Sequence, residues 1–253
     1  MDQVRSSIRS GDYQRHTAGL ASGHLQCNLV MLPEAYSGDF SDFCARNSQA
    51  CPLVGRSEPG DPHIPALGPD IDLRTDVPRY NVYREGRLVE SVLDLTRLWR
   101  DDIVTFALGC SFTFERALTE AGIAMRHIAQ DKTVPMFISD RATKPSGAFS
   151  GPMVVSMRPI AEADVQRAIS ISARYPQAHG APVHIGAPGE IGIADLMQPD
   201  WGDPVEVHTG EVPVFWACGV TPQVALRAAR PSLCITHAPG SMLITDLDEF
   251  HPL

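Results

Sequence analysis

The sequence Gly151-Pro-Met-Val-Val-Ser-Met-Arg-Pro159 opens the part of the chain, residues 151–248, that decides the fold. An apolar strand, a turn, a helical segment and a second strand follow one another in residues 152–196, and the same order recurs in residues 212–247. Both copies close on Ala-Pro-Gly, three residues, Ile, one residue and Asp-Leu, so six identities fall at equal spacing. Self-similarity of this kind indicates a repeated supersecondary unit. We therefore predict that the two copies superpose as strand–helix–strand units.

The segments before this duplication continue the alternation of strands and helices. The apolar run Ile103-Val-Thr-Phe-Ala-Leu108 is typical of a strand buried on both faces, and a helical pattern follows at residues 112–121. Strands that alternate with helices predict the α/β class, with a mixed sheet that carries helices on its faces. We predict one unit over residues 1–253. Two interleaved sub-domains, the smaller of them α+β, are the alternative.

The N-terminal half contains weaker patterns. Residues 36–47 place apolar side chains on one helical face, and a hairpin is predicted to turn at Glu85-Gly86. Residues 55–78 are rich in Pro, Gly and Asp, which predicts a long irregular segment on the surface. Residues 93–99 are predicted to be helical.

Composition excludes several classes of protein. The net charge is −9 and no basic stripe is present, so a nucleic-acid partner is not expected. No run of eighteen apolar residues exists, so no membrane span is expected, and the polar N-terminus lacks the apolar run of a secretion signal. The six cysteines form no Cys-x-x-Cys pair, which predicts reduced thiols in a cytoplasmic protein.

Two segments place polar side chains where a strand is followed by a helix. Cys110 and Ser111 follow a buried strand, and Cys218, Thr221 and Gln223 take the matching place in the second copy. Unpaired N–H groups at a helix start bind carboxylates, and ligands of open α/β sheets lie beyond strand ends. We predict that these five residues bind substrate. The alternatives are simple helix caps at Ser111 and Thr221, and a nucleophilic role for Cys110.

Histidines and aspartates of the duplicated region are candidates for proton transfer. His184 and His237 lie beside the two Ala-Pro-Gly motifs, where a histidine can act as a base near neutral pH. Asp195 and Asp246 close the paired motifs, and facing carboxylates raise the pKa of one of them. The alternatives are structural histidines, aspartates that cap loops, and a metal site joining His179 and His184 to the aspartates.

Long motifs over nearly the whole chain resemble the family named "putative hydro-lyase", which is related to D-glutamate cyclase, in its bacterial single-domain form. They are Asp42-Phe-Cys-x-Arg-Asn47, Gly109-Cys-Ser-Phe-x-Phe-Glu115, His179-Gly-Ala-Pro-Val-His-Ile-Gly186, Glu211-Val-Pro-Val-Phe-Trp-Ala-Cys-Gly-Val-Thr-Pro-Gln223 and Ile235-Thr-His-Ala-Pro-Gly240. The resemblance implies loss of water from D-glutamate to give 5-oxo-D-proline. Relatives often read Met-Tyr-Arg-Thr-Asn where this chain has Met136-Phe-Ile-Ser-Asp-Arg141, so the cation is displaced by three positions.

We therefore expect a hydro-lyase that acts on a small carboxylate-bearing metabolite. No cofactor is expected, because no Walker or dinucleotide-binding motif is present. Arg158 has a planar guanidinium that suits a substrate carboxylate, and His179 is assigned to the same binding group. The proton-transfer residues are predicted to be His184, His237, Asp195 and Asp246. The alternatives are a non-catalytic protein that binds a small anion or has a regulatory role, and a metal-dependent hydratase. We expect a small-molecule carboxylate as the partner, with a homodimer as an option.

Overall fold

The structure is a computed structural model that describes residues 2–17 and 19–250. It combines antiparallel sheets with helices, 24% of the residues being helical and 28% in strands, so the predicted α/β class is confirmed. The helices are α1 (Asp2–Arg9), α2 (Glu34–Arg46), α3 (Phe112–Glu120), α4 (Arg126–Ala129), α5 (Val165–Ser172) and α6 (Thr221–Ala229). The strands are β1 (His24–Pro33), β2 (Leu53–Arg56), β3 (Tyr80–Arg84), β4 (Arg87–Val92), β5 (Ile103–Leu108), β6 (Met136–Ala142), β7 (Pro152–Ala161), β8 (His184–Ile185), β9 (Glu211–Ala217), β10 (Cys234–His237) and β11 (Leu243–Asp248).

Strand β1 is the centre of the larger, seven-stranded sheet. Nine of its ten residues are buried, because it has neighbours on both edges and side chains cover both of its faces. On one edge it pairs with β5, with Asn28 opposite Leu108. On the other edge β11 pairs with its first half and β10 with its second half. The strand order is β2-β5-β1-β10-β3-β4, with β11 added beside β1. Helices α2 and α6 cover one face.

The other face of this sheet is covered by an irregular segment that follows β2. Ile64, Leu67, Ile71 and Leu73 of this segment are buried and pack in the core behind β1. The segment is irregular and partly exposed, as predicted for residues 55–78, for example at Pro59, His63 and Pro69, but its buried side chains belong to the core, which was not predicted. Its prolines and glycines interrupt any regular apolar spacing, so periodicity could not reveal that these side chains cover a sheet.

A second sheet contains four antiparallel strands in the order β6-β7-β9-β8. Successive side chains of a strand point to opposite faces, and the two faces of this sheet have different neighbours. Trp216 of β9 stacks on Phe114 of α3, with ring centroids 5.1 Å apart. Phe215, the preceding residue, packs on the opposite face against Ile191 and Ile193. The face on which a residue lies therefore decides which site it can join.

The two copies of the predicted duplication have different topologies. In residues 152–196 both strands, β7 and β8, belong to the four-stranded sheet. In residues 212–247 the first strand, β9, lies in that sheet, but β10 pairs with β1 and β3 of the seven-stranded sheet. The prediction of superposable units is therefore wrong. The second copy instead connects one sheet to the other through α6.

Two local predictions have opposite outcomes. The hairpin at Glu85-Gly86 is confirmed, since β3 and β4 flank these residues and both have positive φ angles, 50° and 75°. Such angles are required by a two-residue hairpin turn. The helix predicted at residues 93–99 is wrong, because these residues form turns in which the Leu95 N–H donates to the Arg74 carbonyl oxygen.

Candidate active site

The turn Gly109-Cys110-Ser111 connects β5 to α3 where the two sheets meet. The Gly109 N–H donates to the Pro52 carbonyl oxygen at 2.9 Å, and the Gly109 carbonyl oxygen accepts from Asn28 Nδ2 at 2.9 Å. The first N–H groups of α3 have no partner within the helix, so this end presents donors and partial positive charge. Ser111 is partly exposed and its side chain makes no capping hydrogen bond. The simple capping role is thus wrong for Ser111.

The turn between β9 and α6 reaches the same asparagine from the other side. The Cys218 N–H donates to the Val154 carbonyl oxygen at 3.0 Å. A Cβ atom on Gly219 would lie 2.7 Å from Asn28 Nδ2, so the backbone of this turn rests on the asparagine amide. The starts of α3 and α6 therefore converge. We call this place the Asn28 junction, and it comprises Asn28, residues 109–111 and residues 218–220.

Thr221 fastens α6 to the four-stranded sheet. Its side chain is fully buried, and Oγ1 accepts from the Val154 N–H at 3.0 Å and lies 3.2 Å from the Val154 carbonyl oxygen. Both contacts are to β7, so the hydroxyl is engaged in holding the helix. The predicted substrate-binding role of Thr221 is not supported by this geometry.

The thiols of Cys110 and Cys218 flank the junction and are protonated at neutral pH. All six cysteines of the chain are free thiols. Burial raises the pKa of Cys110 to about 12, against a hydrogen bond from the Phe112 N–H that lowers it. Burial also raises the pKa of Cys218 to about 11, against a hydrogen bond from the Val220 N–H. Because the thiolate is the nucleophilic form, the alternative of Cys110 as a nucleophile loses its support.

Arg158 lies beneath the junction and is engaged by the protein itself. It is fully buried, and its Nε donates to Glu115 Oε1 at 2.9 Å while Nη1 donates to Ser156 Oγ at 2.8 Å. Its guanidinium carbon lies 4.8 Å from the centre of the Phe114 ring and 5.3 Å from that of Trp216. The predicted role of Arg158 as a clamp for a substrate carboxylate is therefore wrong, because Glu115 already occupies that position.

Glu115 and His127 complete this buried charge cluster. Burial alone would raise the pKa of Glu115, but the Arg158 charge and the His127 hydrogen bond together hold it at about 2. His127 Nε2 lies 3.4 Å from Glu115 Oε1. Sequence reasoning missed both residues. The available signal for Glu115 was an acidic residue one turn into a helix that starts next to a cysteine, whereas His127 belongs to no motif.

His179 is attached at the edge of the junction in an unusual backbone conformation. Its φ angle is +74°, in the left-handed region that few residues other than glycine adopt. Its ring Nδ1 lies 2.9 Å from the Gln49 carbonyl oxygen. The side chain is buried, which lowers the pKa to about 4, and the charge of Arg158 lowers it further against the hydrogen bond to Gln49. The imidazole is therefore neutral at physiological pH.

His184 and Asp195 lie away from the junction. The His184 ring packs on Phe215, whose ring centroid is 5.6 Å away, so it is on the opposite face of the four-stranded sheet from Arg158. His184 Nε2 lies 2.8 Å from the Ala187 carbonyl oxygen. Asp195 is exposed and accepts from the Met197 N–H at 2.8 Å, which is the loop-capping alternative. His184 and Asp195 therefore do not share a site with Arg158, and their predicted proton-transfer roles beside it are not supported.

His237 satisfies a backbone group inside the seven-stranded sheet. β10 leaves β1 at Val30 and β11 joins it at Cys27, so the residues between them lack a strand partner on that edge. The Leu29 N–H donates to His237 Nδ1 at 3.1 Å and fills this gap. Burial lowers the pKa of His237 to about 4. The structural alternative thus describes His237, and the predicted catalytic role loses its geometric basis.

The Asp246 carboxylate binds Arg5 and holds the N-terminal helix α1 in place, instead of taking part in proton transfer. Its two carboxylate oxygens accept from Arg5 Nη1 at 2.8 Å and from Arg5 Nη2 at 3.1 Å. Arg5 is fully buried and also bonds Asp70 at 2.5 Å. The predicted pairing of Asp246 with Asp195 is wrong, because the two aspartates have separate partners.

Asp246→Asn is expected to lower the free energy of unfolding by about 1–3 kcal/mol, because a buried guanidinium loses its bidentate partner. Urea titration of both proteins measures this difference. Asp195→Asn, at an exposed loop position, is the control and should change stability by less than about 0.5 kcal/mol. Equal stability of Asp246→Asn and the parent protein would contradict the anchoring role.

Gln223 lies at a pocket that is separate from the Asn28 junction. It lines a narrow, mostly apolar pocket with Tyr83, Gly86 and Arg227, between α6 and the β3–β4 hairpin. No hydrogen bond in the described residues connects it to Cys110 or His179, so its predicted substrate-binding role is not supported.

Within residues 2–17 and 19–250, no three His, Cys, Asp or Glu side chains are grouped to hold a metal ion. Over the same residues, no helix is long and apolar enough to cross a membrane.

Comparison with known proteins agrees with the resemblance found in the motifs. Residues 104–246 match the D-glutamate cyclase family. A protein named "Putative hydro-lyase" from Bordetella pertussis is 59% identical over 245 residues, which are 97% of this chain and 88% of that protein. Its namesake from Dinoroseobacter shibae is 60% identical over 247 residues, 98% of this chain and 82% of that protein.

Among solved structures, a nitrogen repressor-like protein from Methanococcus jannaschii matches with a TM-score of 0.41 and 10% identity. The match covers 91% of this chain and 89% of that protein, but it is too weak to support a conclusion about this chain. The sequence relatives and the matched family, which spans more than half of the chain, are decisive. This chain belongs to the D-glutamate cyclase family.

Proposed function

We propose that this protein is a lyase that cyclises D-glutamate to 5-oxo-D-proline, with loss of water, at the Asn28 junction. Membership of the family supports the cyclase chemistry, and the hydro-lyase names of the relatives from Bordetella pertussis and Dinoroseobacter shibae agree with loss of water. The observation that supports this location is the convergence of two helix starts on Asn28.

The two helix starts suit a substrate with two carboxylates. D-glutamate carries an α- and a γ-carboxylate, and the positive ends of the α3 and α6 dipoles both lie at the junction. The first-turn N–H groups that can bind a carboxylate are mainly those of α3, because in α6 the Thr221 N–H donates to the Cys218 carbonyl oxygen and Pro222 has no N–H. A helix start stabilises a carboxylate by about 0.3–1 kcal/mol when exposed and up to about 2 kcal/mol when partly buried. The buried pair of Arg158 and Glu115 below is already balanced, so it leaves the helix starts as the positive groups at the surface of the junction.

The reaction requires two proton transfers from nitrogen to oxygen. The substrate nitrogen forms a bond to the γ-carboxyl carbon, and one carbon–oxygen bond of that carboxyl group breaks. The ammonium nitrogen gives one proton to a γ-carboxylate oxygen before it attacks, because only the neutral amine has a lone pair that can bond to carbon. It gives up a second proton once the carbon–nitrogen bond has formed, and the departing oxygen receives both protons and leaves as water. The γ-carboxylate is a poor electrophile, so donors that stabilise charge on its remaining oxygen lower the barrier. First-turn N–H groups of α3 beside Ser111 have the chemistry for this task.

Incubation with the two enantiomers of glutamate tests the proposal. We expect D-glutamate to be converted to 5-oxo-D-proline, measured by proton NMR and by chiral chromatography, while L-glutamate stays at the level of the protein-free sample. Glutarate, which lacks the amine, should occupy the site and inhibit without reacting. A folded protein that converts neither enantiomer at neutral pH would contradict the proposed reaction.

A further inference from the structure

His179 has one ring nitrogen that is engaged and one that is free. A carbonyl oxygen can only accept a hydrogen bond, so the contact between Nδ1 and the Gln49 carbonyl oxygen requires the hydrogen on Nδ1. In the neutral imidazole, Nε2 then carries a lone pair. Within the described part of the chain Nε2 has no hydrogen-bond partner, and it is not among the side-chain atoms that are wholly enclosed. The hydrogen bond to the Gln49 backbone thus fixes the tautomer of His179 in which Nε2 can accept a proton or a hydrogen bond.

The segment that carries His179 lies directly on the turn before α3. A Cβ atom on Gly109 would lie only 1.6 Å from the Gln177 carbonyl oxygen, so these two backbones are in direct contact. Pro52, three residues after Gln49, accepts the Gly109 N–H from the other side. His179 is therefore held between two segments that both touch Gly109, the first residue of the Asn28 junction.

Arg158 lies within electrostatic range of both His179 and Cys218, because its charge lowers the pKa of each of them. His179 has a left-handed conformation at φ +74°, followed by Gly180 at φ +63°, and this costs of order 1–3 kcal/mol in a residue other than glycine. Such conformations persist only where the surrounding structure enforces them, and they are concentrated at active sites.

We propose that Nε2 of His179 relays a proton in the cyclisation, from the substrate nitrogen to the oxygen that departs from the γ-carboxyl carbon. This inference rests on the proposed function. When the nitrogen bonds to the carboxyl carbon it becomes strongly acidic, so a neutral imidazole accepts its proton without being a strong base. The imidazolium then gives the proton to the departing oxygen, which leaves as water, and His179 returns to its neutral form. No proton is gained or lost by the enzyme.

Two substitutions separate this role from a structural one. His179→Asn removes the relay but keeps a residue that tolerates a positive φ angle. His179→Gly also accepts this conformation and leaves space for imidazole supplied from solution. His184→Gly is the matched control, since His184 lies on the opposite face of the four-stranded sheet. Circular dichroism and thermal unfolding of all variants report whether each is folded.

We expect His179→Asn and His179→Gly to lower kcat for D-glutamate by about 10²-fold or more, because a positioned acid–base group contributes that much. The Kd of D-glutamate, measured by calorimetry, should change by less than about tenfold, because the relay acts in the transition state. Added imidazole should restore turnover of His179→Gly and leave the control unchanged. A parent protein without turnover refutes the proposed function, and the relay with it. A parent with turnover whose His179 variants keep kcat, or gain nothing from imidazole, refutes the relay alone.

Discussion

Glu115→Gln is expected to lower the free energy of unfolding by about 3–5 kcal/mol, because it leaves the Arg158 guanidinium buried without its counter-charge. Arg158 is fully buried and Glu115 almost so, and no solvent can replace the lost carboxylate. Urea titration followed by fluorescence of the buried Trp216, which stacks on the same cluster, measures the change. The slope of the transition shows whether the variant still unfolds in one step.

An exposed glutamate of the same helix provides the control. Glu120 pairs with Arg116 one turn earlier on the surface of α3, and Glu120→Gln should change stability by less than about 0.5 kcal/mol. A second variant replaces both charges, Glu115→Leu with Arg158→Met. Since a buried pair can be exchanged for apolar residues with little loss, it should be more stable than Glu115→Gln. Equal effects of Glu115→Gln and Glu120→Gln would show that the buried pair contributes nothing.

The Glu115 carboxylate also makes the free energy of unfolding depend on pH. The pKa of Glu115 is about 2 in the folded protein against 4.5 as its ordinary value. The stabilisation by this depressed pKa is complete above about pH 4.5 and is lost as the pH falls towards 2, because the unfolded chain binds the proton first. Protonation therefore has the same direction of effect as Glu115→Gln, and the variant should show a weaker loss of stability over this interval.

Gly109→Ala is expected to lower the turnover of D-glutamate by about 10²-fold or more, since it displaces groups that must lie within hydrogen-bond reach of the substrate. The added Cβ would lie 1.6 Å from the Gln177 carbonyl oxygen, which is backbone and cannot rotate away. The segment that carries His179 must therefore shift. Overpacking of this kind also lowers stability by about 1–3 kcal/mol, so turnover is measured at a temperature where thermal unfolding shows the variant to be folded.

Gly189→Ala is the matched control for this prediction. Gly189 belongs to the first Ala-Pro-Gly motif, yet a Cβ atom there would meet nothing within 4 Å. The variant should keep its turnover and change stability by less than about 0.5 kcal/mol. If Gly109→Ala is as active as Gly189→Ala, the Gly109 turn is not part of the active site.

Part of the fold could be predicted because some segments carry strong local patterns. The apolar run of β5 and the turn at Glu85-Gly86 depend only on residues near one another in sequence, and both are confirmed. The partner of a strand depends on distant residues instead. The apolar pattern of β10 is equally compatible with either sheet, so the true pairing with β1 and β3 could not be read from it. The failed prediction of superposable copies follows from this limit.

The parts of the site at the turns between a strand and a helix could be predicted from the sequence. The face of the sheet on which a side chain lies was harder to predict. Cys110, Ser111 and Cys218 lie at the predicted helix starts, which the structure brings together around Asn28. His184 carries the chemistry of a base, but the register of β8 against β9 turns it to the opposite face from Arg158. Arg158 itself was misjudged because its partner, Glu115, looks in sequence like an ordinary acidic residue near a helix start.

A structure with 5-oxo-D-proline bound tests the central claim most directly, because it locates the product without assumptions about rate. We predict that the product carboxylate lies within hydrogen-bond distance of first-turn N–H groups of α3 or α6, and that its ring nitrogen or carbonyl group faces His179 Nε2. Product bound elsewhere, for example in the pocket between α6 and the β3–β4 hairpin, would contradict the assignment of the Asn28 junction as the active site.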